Sequence, residues 1–89
     1  MWRVDWLQTA LDELTVGWTQ ANSTLRQAIT AASHQIDQQL SRNPSSEGES
    51  REGGTRIAFF PPLSITFKVD EDAQVVTVAH VRVFQPRNR

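Results

Sequence analysis

Four cationic side chains stand in the second half of the chain, spaced among apolar and β-branched neighbours: Arg56, Lys68, His80 and Arg82. Arginine and lysine hold a fixed positive charge and stabilise negative charge that develops on a phosphate under attack. His80 is the only one of the four that could act as a general base near neutral pH, so it alone is a candidate for that role. Simple two-residue alternation places all four on one outward face of a sheet. Arg56, His80 and Arg82 are therefore the candidate catalytic residues, and their chemistry would be displacement at a phosphodiester. The plainer reading, a solvated sheet face with no catalytic role, carries more weight.

Other reactive groups are sparse. The chain has no cysteine, which excludes a disulfide, a thiolate metal site and a cysteine nucleophile. His34 falls on the wet side of a helical pattern, far from His80, and no spacing of metal ligands links the two. Ser64 has no histidine–carboxylate pattern near it and reads as an ordinary strand residue. Trp18 lies on an apolar helical stripe, and Trp2 and Trp6 share one strand face, so all three read as core. Between Ala73 and Arg89 stand three arginines, Arg82, Arg87 and Arg89, and no acidic residue. With Phe60 and Lys68, the residues Arg82 and Arg87 are the candidate partner-binding positions. Phe60, Val76 and Val78 alternate onto the side that carries Arg56, His80 and Arg82. Apolar and cationic groups mixed on one face suit an acidic, amphipathic peptide. Self-association through that face, giving a homodimer, is the alternative. Nothing calls for a cofactor or a metal.

Composition sets bounds on these readings. With 89 residues, one domain spanning 1–89 is expected. A hydrophobic share of 38% suits a globular domain and not a disordered tail. The net charge of −1 argues against a surface that grips nucleic acid broadly. No apolar run is long enough to span a bilayer. The opening residues lack the basic flank and apolar core of a secretion signal, so a cytoplasmic location is expected.

The elements that must position these groups follow from periodicity. Trp2, Val4 and Trp6 alternate with Arg3 and Asp5, which predicts a short opening strand. Leu7, Leu11, Leu14, Trp18 and Ala21 recur every three or four residues and form one helical stripe. Asn22-Ser23-Thr24 supplies N-cap residue types, and Leu25, Ile29, Ala32, Ile36 and Leu40 make a second stripe. The short join predicts a helical hairpin. Residues 41–54 have no apolar side chain and read as a loop. Three strands close the chain, around Ile57 and Phe59, from Leu63 to Val69, and from Val75 to Val83, with turns at Pro61-Pro62 and Asp70-Glu71-Asp72. The order β-α-α-β-β-β predicts an α+β fold, with the helical hairpin packed on a curved, mainly antiparallel sheet. Both helical stripes should pack on Ile57, Ile65 and Phe67.

In this order and spacing the sequence resembles the RelE/ParE superfamily of type II toxin–antitoxin toxins, also called plasmid-stabilisation proteins. "WRVDWLQTALDEL" is similar to the family's strand-then-helix start, and "AASHQIDQQLSRNP" to its second helix. "GESREGGTRIAFFPPLSITFKVDEDAQVVTVAHV" is similar to its glycine-rich loop and closing meander. The resemblance spans nearly the whole chain. It implies a RelE/ParE-like fold and a cognate antitoxin lying as a strap across the helices and a sheet edge.

The resemblance implies two activities. RelE-like members cut messenger RNA on the ribosome, using basic residues on the open sheet face and near the C-terminus. Arg56 matches one such position. Ala58 stands where a second basic residue is common, Ser64 where relatives often have arginine, and Val83 and Phe84 end the last strand. The chain also has no tyrosine. ParE-like members inhibit DNA gyrase by binding, without those residues. The expectation is thus a ParE-like toxin that binds its target. The alternatives are a RelE-like ribosome-dependent endonuclease and a non-toxic descendant that keeps a protein-binding surface.

Overall fold

The computed structural model describes residues 1–84, so Arg87 lies outside the described residues. Strand β1 (Arg3–Trp6) leads into helix α1 (Gln8–Gln20) and helix α2 (Ser23–Arg42). After a 3-10 turn at Pro44–Ser46 come β2 (Glu49–Ser50), a second 3-10 turn at Glu52–Gly54, β3 (Thr55–Phe60), β4 (Leu63–Asp70) and β5 (Val75–Val83). The sheet has five strands in the order β1-β5-β4-β3-β2. β1 runs parallel to β5 and the other pairs are antiparallel. The fold is α+β, two helices on a mixed sheet, with one strand more than the sequence predicts. That strand, β2, is two polar residues inside a Gly- and Ser-rich loop, too short to leave a periodic signal.

The helix turn is built from local chemistry. Asn22 is the N-cap of α2, and its side chain accepts a hydrogen bond from the Leu25 amide at 2.8 Å. The Arg26 guanidinium donates to the carbonyls of Trp18 and Thr19 at 2.9 and 3.0 Å. Those carbonyls end α1, where the helix leaves acceptors unpaired and its dipole favours a cation. Arg26 also stacks 4.3 Å above the Trp18 ring.

The core lies between the helices and one sheet face. Ile29, Ala32, Ile36 and Leu40 of α2 are buried, as their spacing predicts. Ile65 and Phe67 are buried too, again as predicted. The α1 stripe is corrected. Its buried side consists of Ala10, Leu14, Gly17 and Ala21, while Leu7, Leu11 and Trp18 remain exposed. Small side chains face the sheet because α1 rides close to β5. A Cβ on Gly17 would stand 2.4 Å from Val83 Cγ2. The bulky residues are displaced to a flank of the helix.

Ile57 is corrected as well. Registers Ala58↔Ile65 and Phe60↔Leu63 put Ala58 and Phe60 on the helix side of the sheet, and Ile57 and Phe59 on the other. Both sets in β3 are apolar, so alternation alone cannot choose between faces.

Candidate functional site

The open face of the sheet is set by register. Three rows run across β3, β4 and β5: Phe59–Ser64–Arg82, Ile57–Thr66–His80 and Thr55–Lys68–Thr77. Lys68, His80 and Arg82 therefore do share the outward face. A bulge in β5 lets them do so while Val76 and Val78 face the core. Thr66 pairs with His80 and Phe67 with Val78, so Ala79 is an additional residue and reverses the parity of the strand. Before it Val76 and Val78 point into the core, and after it Val81 and Val83 do. The expectation that Val76 and Val78 lie outward with His80 is overturned, because it assumed unbroken alternation.

Arg56 is not on that face. It pairs with Phe67 and has helix-side parity. Its guanidinium donates to the carbonyls of Glu47 at 2.9 Å and Gly48 at 3.2 Å, and to Ser50 Oγ at 2.8 Å. Arg56 thus ties down the loop before β3. Gly48 in that loop has φ +68° and lies against the Ile57 carbonyl, which a Cβ would approach to 2.2 Å. Only glycine fits there without distortion.

Phe60 is also corrected. It is 4% exposed and belongs to the core, whereas its neighbour Phe59 is 68% exposed. The Phe59 ring packs against Phe84 of the C-terminal segment, centroid to centroid 6.0 Å.

Sequence reasoning missed Glu13. From α1 it reaches past the end of β1 and accepts a hydrogen bond from the Val81 amide at 3.0 Å. The same oxygen lies 3.4 Å from His80 Nδ1. Only the contact between α1 and the bulged strand brings these residues together, so no sequence spacing announced it. Glu13, Ile57, Ser64, Thr66, His80, Val81 and Arg82 line an open cavity of about 350 Å³. Its floor is small hydroxyl side chains. An imidazole beside a carboxylate can take up a proton, and Arg82 can hold an anion next to it. Elsewhere, His34 is exposed on α2 beside Trp18 and Arg26, away from this face. Trp2 and Trp6 are partly buried against the core, and Trp6 Nε1 donates to Asp37 Oδ1 at 2.9 Å. No helix among the described residues is long and apolar enough to cross a membrane.

No protein-family model and no curated protein sequence matches the chain. Solved structures do match it in fold. The toxin–antitoxin complex RelBE2 from Mycobacterium tuberculosis includes a chain with a TM-score of 0.71 and 20% identity, over 92% of this chain and 90% of that one. A chain of the chromosomal ParDE system of P. aeruginosa gives a TM-score of 0.74 at 15% identity, over 96% and 98%. A chain of the E. coli RelBE complex gives 0.62 at 19% identity, over 98% and 100%. The architecture is the RelE/ParE-like one that the sequence resemblance implies.

Proposed function

We propose, from a fold held in common with the RelE and ParE toxins, that this chain is a toxin of the ParE kind. It arrests growth by binding a cytoplasmic target, with DNA gyrase as the target the resemblance implies, and a cognate antitoxin neutralises it. The observation that carries this reading is the placement of Arg56. Its donors are spent on the preceding loop, so the open face keeps Lys68, His80 and Arg82 spread over three rows. Lys68 and Arg82 are two rows apart, roughly 13 Å at the usual strand rise. Two cations at that separation do not converge on one phosphate as charge stabilisation in phosphodiester cleavage requires.

The antitoxin is supported separately. Leu7, Leu11 and Trp18 lie exposed along one flank of α1. Exposed apolar side chains grouped along one flank suit a surface that a partner covers. Induction of the chain in cells, with and without the product of the adjacent reading frame, tests the reading. Arrest that the neighbour relieves supports it, and gyrase supercoiling assays then identify the target. Growth unaffected by induction points to a non-toxic descendant.

A second reading has one observation in its favour. The Glu13–His80 approach beside Arg82 brings a proton-accepting group next to a cation, a pairing compatible with a RelE-like ribosome-dependent endonuclease. Cleavage of messenger RNA on purified ribosomes, abolished by His80→Ala, would favour it.

A further inference from the structure

The chain distributes its charge unevenly. Residues 14–36, 53–69 and 73–89 hold no Asp or Glu. The fold brings part of each of these stretches to one pole. Gly17, in the second half of α1, lies against Val83 at the end of β5. Val83 pairs with Leu63 at the start of β4, and the Phe84 amide donates to the Pro62 carbonyl at 2.8 Å. The pole is thus built from the α1–α2 turn, the Pro61-Pro62 turn and the end of β5. The carboxylates stand elsewhere. Asp70, Glu71 and Asp72 make the turn at the other end of β5, and Asp5 pairs with Thr77 in its first half. Glu49 lies beside Ile57, in the middle of β3. Glu13 comes nearest, since it lines a cavity with Arg82, but its carboxylate is occupied by the Val81 amide and approaches His80 Nδ1.

Apolar side chains project from this pole. Val16, Phe59 and Phe84 are 55%, 68% and 44% exposed. The Phe59 and Phe84 rings pack on each other and form a single apolar knob. Arg82 stands in the same row as Phe59, and Arg26 sits at the α1–α2 turn, stacked on Trp18. Two more arginines, Arg87 and Arg89, follow Phe84 in the sequence. Exposed apolar groups beside fixed cations therefore occupy one end of β5, and an acidic turn occupies the other.

We propose that this pole docks on an anionic lipid bilayer. Val16, Phe59 and Phe84 enter the boundary between headgroups and acyl chains, and the charges of Arg26 and Arg82 are drawn to the lipid phosphates. The turn at Asp70, Glu71 and Asp72 then points away from the negative surface, so the charge polarity orients the molecule as it approaches. Nucleic acid suits the pole less well. Bases stack on free aromatic faces, and Phe59 and Phe84 spend part of theirs on each other. A second copy suits it less well too, because a two-fold axis through the pole sets Arg26 and Arg82 near their own images. The proposal goes beyond the toxin reading and does not rest on it, since a growth-arresting chain and an inert one would bind alike.

The experiment is co-sedimentation of the purified chain with vesicles of phosphatidylglycerol and phosphatidylcholine in equal parts, beside vesicles of phosphatidylcholine alone. Binding to the anionic vesicles that weakens with salt is expected, with little binding to the neutral ones. Combining Phe59→Ser with Phe84→Ser should weaken it about tenfold or more, through the apolar area no longer buried. Arg82→Gln should weaken it about fivefold, the loss of one basic group at an anionic surface. Leu7→Ser, an exposed apolar residue at the start of α1, should leave it unchanged. Thermal melts establish that each variant is folded. Absence of binding, equal binding to neutral vesicles, or a loss on Leu7→Ser as large as on the Phe59 and Phe84 pair would overturn the proposal. Displacement from the vesicles by oligouridine would assign the pole to nucleic acid and overturn it as well. So would a dimer in sedimentation velocity that Phe59→Ser dissolves, which would assign the pole to a second copy.

Discussion

Glu13 and Val81 are 68 positions apart, and the Glu13 carboxylate accepts the Val81 amide at 3.0 Å. β1 pairs with β5 only from Val75 to Val78, and Leu7 takes the Val78 carbonyl at 3.0 Å as the chain turns into α1. Beyond that point no strand among the described residues neighbours β5 on this side. A side chain from α1 substitutes for one. An unpaired strand amide needs a partner, and here it has a charged one. Glu13→Ala should cost about 1.5–3 kcal/mol, the range for a hydrogen bond to a charged group. Glu13→Gln, which keeps an acceptor oxygen, should cost less. Urea denaturation gives the ordering, and faster hydrogen exchange at the Val81 amide in the Ala variant locates it.

Gly17→Ala tests how close α1 sits. Alanine is favoured over glycine in a helix interior by about 1 kcal/mol. Here the added Cβ would meet Val83 Cγ2 at 2.4 Å, and Val83 is β-branched and stiff. Overpacking of this kind costs about 1–3 kcal/mol, so net destabilisation is expected. A melting temperature above that of the native chain would mean that α1 can ride further out.

Phe67 is fully buried at the centre of the sheet. Phe67→Ala should cost about 3–5 kcal/mol, comparable with the whole stability of a small domain. A largely unfolded variant by circular dichroism at 37 °C is the expected outcome.

Arg56→Ala should destabilise the chain and expose the 47–51 loop to proteolysis, since three acceptors lose their donor. Arg56→Lys should rescue only part of this, because one ammonium cannot reproduce a planar fork of donors. Under the binding-toxin reading, any loss of growth arrest in these variants should track loss of folded protein. A folded Arg56→Ala variant with no toxicity would place Arg56 in the functional surface after all.

The helix flank provides a further test of the antitoxin reading. Leu11→Asp and Trp18→Ser alter exposed side chains, so folding should survive. If the antitoxin covers this flank, both variants should remain toxic and resist neutralisation, as measured by co-expression and pull-down.

Much of the fold was legible because its elements announce themselves by period. The α2 stripe from Ile29 to Leu40 and the β4 alternation through Ile65 and Phe67 each have one apolar face, and each buries the residues expected. The failures share a physical origin. In β3 both faces are apolar, so Ile57 and Phe60 exchanged places relative to the reading from alternation. In α1 the buried side is Ala, Leu, Gly and Ala, chosen for closeness and not for hydrophobicity, so the larger Leu7, Leu11 and Trp18 misled. The candidate site suffered most, since it depends on Arg56 parity and on Glu13 arriving from another element. Neither is written in local spacing.

The extra residue in β5 also governs how this sequence can change. Removing Ala79 would not turn the residues after it over. Val78 and His80 would become consecutive opposite Phe67 and Thr66, the bulge would close, and His80 and Arg82 would still face outward. The bulge is thus one residue of slack. An insertion in the same stretch has no such slack to use, and it would direct His80 and Arg82 at the helices unless a second irregularity absorbed it. Alignments of divergent relatives should show this segment one residue shorter more often than one residue longer.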